Sequence, residues 1–462
     1  MGWWLGLGID ESYMVAAGRT LRLGYFDHPP AAWWLSSGIA QLTGSEAAIV
    51  VRLPFIALFA VSTWLMAQLT AALFTPRAGL LAAIAFNLAP LFGLTTGGWV
   101  LPDGPMIFAL LAAGLCLVRA LQGRGLGWWY GAGAAAGFAL LSKYSSGLVL
   151  AGAFAAIVSQ PIHRFWLRRH EPYVAAGIAL LAFVPVLFWN AENGWASFAF
   201  QGGRAAGGQF RPFGPISTLA GQALFLLPWI WAGLMLVFVR GIRDGRADWR
   251  SWLLCCLAAP PILLFTAVSL WSRNVLFHWA APGYLFLFPL LGAWLDRKPA
   301  PRVTNWAAGS AALIGILLVL VCVEVRYNRI GRHLRAPSPT LQALDWTALR
   351  PALAARGLLN GAVIAGPTWN DTGKLDYALG GDPSVLCLNT DARQYQFADT
   401  PKHHIGHDIL IIAPRQSAER IEQTYASLFD RTERLAPVQF TIPGRETIEM
   451  PLILGHGLRR WP

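Results

Sequence analysis

Asp10-Glu11-Ser12-Tyr13, followed by Gly24-Tyr25-Phe26-Asp27-His28-Pro29-Pro30, gathers three carboxylates and a histidine into a chain that otherwise avoids charge. Of its 462 residues, 55% are hydrophobic and 13% charged, with 22 tryptophans and a mean hydropathy of +0.47. That composition belongs to a polytopic membrane protein. The acidic stretch therefore sits where charge is costly, which points to a use for it. The net charge of +12 does not imply nucleic acid, because most Arg and Lys fall in short clusters between apolar runs and read as topology signals. Cys116, Cys255, Cys256 and Cys322 lie inside apolar segments and only Cys387 in a polar one, a pattern that is neither a disulfide framework nor a zinc site.

Outward from the acidic stretch, residues 10–46 are amphipathic and aromatic and predict two interfacial helices, the second started by Pro29-Pro30. Apolar runs near the ~20 residues a bilayer requires follow at 48–73, 79–96, 104–122, 172–190, 217–239, 251–270, 279–295 and 304–325. The run from Trp128 to Ser159 is too long for one crossing and carries Lys143 at its centre. With Arg119 and Arg124 before it and Arg164, Arg168 and Arg169 after it, it reads as two spans that turn at Ser142-Lys143-Tyr144-Ser145. The fold class expected is thus an α-helical polytopic membrane protein of about ten spans over 47–325. Residues 1–46 form an outer-face loop, and 326–462 a small α/β extracytoplasmic domain with strands near 362–365, 385–388 and 409–413. The positive-inside rule puts residues 10–46, Asp103, Lys143, the 191–216 loop and the 271–278 loop on the non-cytoplasmic face, with the C-terminal domain.

Each polar group admits a plain and a chemical reading. Asp10 and Glu11 can cap a helix or, near apolar walls, act as general bases. Asp27 and His28 mark a rigid corner that, with His278, offers ligands to a divalent metal or contacts to a phosphate. Asp103, between Pro102 and Gly104, either makes a turn or is a further active-site acid. Lys143, amid apolar residues, faces a cavity or an anionic partner, or else snorkels to headgroups. With Arg204, Arg211 and Arg273 it outlines a cationic rim able to hold a phosphate beside the membrane. Trp369-Asn370-Asp371-Thr372-Gly373-Lys374 reads as a polar loop after a strand, and the irregularly spaced His403, His404 and His407 as surface.

Taken together, these motifs resemble those of the bacterial GT-C glycosyltransferases related to the protein O-mannosyltransferases and the lipid A aminoarabinose transferase (glycosyltransferase family 39-like). The resemblance runs through the acidic stretch and Trp33-Trp34-Leu35, then Leu101-Pro102-Asp103-Gly104-Pro105 and Leu140-Leu141-Ser142-Lys143-Tyr144. It continues in Trp189-Asn190-Ala191-Glu192-Asn193-Gly194-Trp195 and His278-Trp279-Ala280-Ala281-Pro282. It implies an inverting transfer of a sugar from a polyprenyl-phosphate donor to a lipid, glycan or protein acceptor at the periplasmic face of the bacterial inner membrane. In that reading Asp10, with Glu11 beside it, is the acid-base group and Asp103 supports the site. Lys143, His28, Arg204 and Arg273 meet the donor phosphate, while Asp27 and His278 are the candidate metal ligands. No cofactor is required, a divalent metal being the one candidate. The competing class is a lipid-linked-sugar transporter or flippase, which also wants a cationic cavity but not outer-face acids. Family members begin with a membrane helix ahead of the acidic loop; residues 1–9 are too few to span, so the native protein is expected to start further upstream with that helix, the alternative being that this chain has lost it.

Overall fold

In a computed structural model, residues 5–205, 208–333, 343–361, 363–398, 401–441 and 447–462 are described. By contacts the chain divides into two units: residues 22–32 and 53–315 form one, and residues 1–21, 33–52 and 316–462 the other. The two helices expected between residues 10 and 46 are present as α1 (Ile9–Gly18) and α2 (Ala31–Thr43).

Among the described residues, five helices are long and apolar enough to cross a membrane: α3 (Ala48–Leu73), α5 (Asp103–Leu121), α8 (Glu171–Glu192), α12 (Trp249–Val268) and α15 (Ala300–Tyr327). Two bent pairs raise the number to seven. In one, α7 (Ser146–Ser159) runs into a 3-10 turn; in the other, α10 (Gly214–Leu226) and α11 (Pro228–Asp244) meet at 114°. That second break is local chemistry, since Pro228 lacks the N–H that would continue the helix and Leu227 before it takes a positive φ of 68°. The remaining runs expected to span are short or interrupted. They are α4 (Pro76–Asn87), which passes into a π-helical turn, the 16-residue α6 (Gly127–Ser142), and α13 (Ala281–Leu285) with α14 (Phe288–Asp296). A further short helix, α9 (Ala196–Ala205), follows α8.

Helices in this unit approach closely through small residues, as membrane helices do in the absence of a hydrophobic drive between them. A Cβ on Gly152 of α7 would collide with the Cys256 carbonyl of α12, so the position admits no side chain. The predicted turn at Ser142-Lys143-Tyr144-Ser145 is present: α6 ends at Ser142, α7 begins at Ser146, and Ser146 Oγ donates to the Lys143 carbonyl at 2.7 Å.

The C-terminal segment is α/β, as expected. β1 (Val363–Gly366), β2 (Val385–Cys387) and β3 (Ile409–Ile412) coincide with the predicted apolar strands. They pair in parallel in the order β2-β1-β3, and antiparallel β5 (Thr447–Leu458) and β4 (Phe429–Thr441) complete the sheet. Alternation divides the side chains between two cores. Ile364, Leu410 and Ile412 pack with Leu375 and Leu379 of α17 (Trp369–Leu379) and with α16 (Leu349–Ala354). Ala365, Ile409 and Ile411 pack with Ile421 and Tyr425 of α18 (Ala418–Tyr425). The β4–β5 hairpin has no sequence forecast, because Asp430, Arg431, Glu433 and Arg434 give β4 the polarity of an exposed segment. The stretch from Trp369 to Lys374, expected as a loop, is instead the start of α17: Thr368 Oγ1 accepts the Asp371 amide at 3.2 Å and caps the helix.

Candidate active site

Lys143 ends α6 in extended conformation, with its N–H on Ala139 O at 3.0 Å, so the chain turns and the side chain leaves the helix at the apex. Its Nζ donates to both carboxylate oxygens of Asp103, at 2.9 and 2.8 Å, and both residues are buried. Asp103 opens α5 behind Pro102, where the helix N-terminus also favours a carboxylate. An ammonium has three donors; Asp103 takes two of them here. The lysine is neither snorkelling nor solvated: it belongs to a buried ion pair.

His278 and His28 both lie within electrostatic reach of Asp103. His278 sits in the 3-10 turn Phe277–Ala280. Burial first, then the charges of Lys143 and Arg204, push its imidazole down to about 4 against the opposing pull of Asp103, so it is neutral at pH 7. Arg204 lies on α9 with its guanidinium 4.4 Å from the Trp279 ring centroid and 5.4 Å from that of Phe200. Its carbonyl accepts Ser272 Oγ at 2.9 Å, which ties α9 to the loop that carries Arg273 and His278. The Arg273 side chain is exposed, and among the described residues it makes no hydrogen bond or ion pair. Asp27 is buried, its carbonyl bonded by Gln201 Nε2, and Tyr144 OH and Ser197 Oγ are 2.7 Å apart. Asp103, Lys143, His28, His278 and Arg204 thus assemble around one buried pair, drawn from five separate stretches of the chain.

A metal held by Asp27 and His278 needs further ligands. Among the described residues no three His, Cys, Asp or Glu side chains converge, and both Asp103 oxygens are taken by Lys143.

Asp10 and Glu11 belong to the other unit, and they part company there. Successive helical positions point about 100° apart. Asp10 is exposed, whereas Glu11 is buried against Arg52, accepting from its Nε at 2.8 Å and Nη2 at 2.6 Å. Glu11 Oε2 also accepts the Gly8 amide at 2.9 Å. Glu11, expected beside Asp10 as a catalytic acid, is therefore engaged in holding the turn from which Asp10 projects. Arg52 escaped the sequence reading. It carries the signal that singles out Lys143, a charge inside an apolar run, here the run 48–73.

A sequence model of the family described as Dolichyl-phosphate-mannose-protein mannosyltransferase matches residues 27–189, which include Asp27, His28, Asp103 and Lys143. Lipid A galacturonosyltransferase RgtD from Rhizobium johnstonii is 26% identical over 312 residues. That match takes in 64% of this chain, and the chain spans 61% of that relative's length. The fold is similar to ArnT from Cupriavidus metallidurans bound to undecaprenyl phosphate, with a TM-score of 0.67 at 16% identity over 97% of this chain and 94% of the other. The apo state of ArnT gives 0.63 at 16% identity, covering 98% and 94%. The family model covers the stretch from Asp27 to Trp189, and over nearly its whole length the chain has the fold of ArnT.

Proposed function

We propose that this protein transfers a sugar from a polyprenyl-phosphate donor to a saccharide of the cell envelope, of the lipid A class, on the non-cytoplasmic side of the membrane. The observation that carries the reading is the buried Asp103–Lys143 pair with His28, His278 and Arg204 gathered about it. The third donor of Lys143 and the charge of Arg204 and Arg273 suit a phosphate that becomes more negative as its bond to the sugar breaks. Neutral His278 supplies hydrogen bonding without adding charge. In the reaction the C1–O bond to phosphate breaks, a C1–O bond to the acceptor hydroxyl forms with inversion, and the hydroxyl proton passes to Asp10. The role of Asp10 and the inversion come from the family resemblance; the donor class is supported by the undecaprenyl phosphate of the ArnT structure and the acceptor class by the name of the curated relative. The alternation of basic loops supports the assignment of faces.

The test is turnover by the full chain in detergent, with lipid A as acceptor and a panel of labelled polyprenyl-phosphate sugars carrying galacturonic acid, aminoarabinose or mannose. One donor is expected to be consumed, with activity lowered about 10³- to 10⁴-fold in Asp10→Asn, leaving a measurable residual rate, and about 10²- to 10³-fold in Lys143→Met. An Asp10→Asn variant that turns over like its parent sinks the reading. Movement of the labelled lipid across vesicles, with no glycosidic bond formed, favours the transporter instead.

A further inference from the structure

The turn that starts α1 is held by partners from the unit that also contains the C-terminal domain. The carbonyls of Leu5 and Gly6 each accept from Arg52 at 3.0 Å. The next carbonyl, Leu7 O, accepts from Lys374 Nζ on α17. Glu11 answers the charge of Arg52 and caps Gly8, and the Ser12 amide closes the first helical bond onto Gly8 O at 2.8 Å. Three successive carbonyls ahead of the helix are thus bound by two basic side chains.

The rest of α17 lies against α1. A Cβ on Gly373 would stand 2.7 Å from Tyr13 Cα, so only glycine lets the two backbones approach this closely. The Trp369 ring meets Tyr13 edge-on with centroids 5.1 Å apart. Tyr13 OH accepts the Gln394 amide at 3.1 Å, and Arg19 at the end of α1 donates to Asp376 at 2.8 Å.

Within this packing Lys374 does nothing the core requires. Leu375, Ala378 and Leu379 supply the face of α17 that meets the sheet, while Lys374 buries an amino group almost completely, 5.5 Å from the Trp346 ring centroid, to bind one carbonyl. Burying that group is costly, and an apolar residue would fill the space without the cost. What the amino group adds is direction, because it fixes the peptide from which α1 departs, three residues before Asp10. We infer that Lys374 is a positioning residue for Asp10, by which the C-terminal domain aims the acid of the first loop. The inference rests on Asp10 being the proton acceptor proposed above.

The experiment compares the full chain with Lys374→Met, Asp10→Asn, the double variant, and Leu379→Ala, a core substitution on the same helix. If Lys374 acts through Asp10, Lys374→Met speeds hydrogen exchange at the Ser12 amide about tenfold while exchange in β3 is unchanged. It also lowers kcat about 10²-fold with KM for the lipid donor within about twofold, the expectation for a misplaced catalytic group. The double variant then matches Asp10→Asn, and Leu379→Ala keeps its kcat below its melting temperature. Unchanged exchange and kcat in Lys374→Met, an additive loss in the double variant, or an equal kcat loss in Leu379→Ala overturns the inference. Should Lys374→Met not fold, Lys374→Leu is read the same way. Full turnover by Asp10→Asn overturns the functional reading and this inference together, whereas the other failures overturn the inference alone.

Discussion

Asp103 and Lys143 are worth more as a pair than apart. Removing either leaves a buried charge without its partner, which costs about 3–5 kcal/mol, whereas removing both leaves none. Asp103→Asn and Lys143→Met are each expected to lower the melting temperature in detergent. The double variant should recover most of that loss and none of the turnover, which separates the stabilising role of the pair from its chemical one. At Lys374 the prediction concerns pH. Burial is the largest influence and Arg52 adds to it, against the pull of Asp345 and Glu11, so the amino group is pushed from 10.5 down to about 7. Its folded value lies below its unfolded one, so between pH 7 and 10.5 the unfolded chain holds the extra proton and stability rises with pH. The slope lost in Lys374→Met should approach about 1.4 kcal/mol per pH unit across that window, measured by denaturant melts at several pH values. Lys143 was legible in the sequence because a charge amid apolar residues needs a reason; that its reason was Asp103, 40 residues away, was not.

The decisive element is α17. Its cap is Thr368, whose Oγ1 accepts the Asp371 amide, donates to Asp371 Oδ2 at 2.7 Å and receives Arg415 at 3.2 Å. Thr368→Ala is expected to cost about 1–2 kcal/mol and to loosen the first turn of the helix ahead of its distal end, as hydrogen exchange across α17 would report. The stretch reads as a loop because Trp369-Asn370-Asp371-Thr372-Gly373-Lys374 is polar and contains glycine, both unfavourable in a helix interior. Tertiary packing overrides that preference, since Gly373 is where Tyr13 fits and Lys374 is where Leu7 O needs a donor. The β4–β5 hairpin escaped for the opposite reason: its strand pairing satisfies the backbone, so β4 can carry Asp430, Arg431, Glu433 and Arg434 outward.

For the whole molecule, the positive-inside reading makes a prediction about sides. Gln209 and Arg246 are both exposed and fall in loops assigned to opposite faces. In spheroplasts, a membrane-impermeant thiol reagent should label Gln209→Cys and spare Arg246→Cys until the membrane is opened; equal labelling of both before opening contradicts the topology. The sequence by itself determined the membrane class, the positions of the apolar runs, the turn at Lys143 and the three short apolar strands of the C-terminal domain. These follow from local composition and periodicity, which every window of the chain carries. Only the tertiary structure decided what the charges do. It paired Lys143 with Asp103, brought His28, His278 and Arg204 to them, and divided Asp10 from Glu11 by giving Glu11 to Arg52. It also carried the first loop's helix onto α17, more than 350 residues later in the chain. A buried charge must find a partner wherever the fold places one, and one-dimensional spacing holds no record of that distance. The opening acidic stretch is thus two devices, an exposed acid and the buried strut that holds its turn.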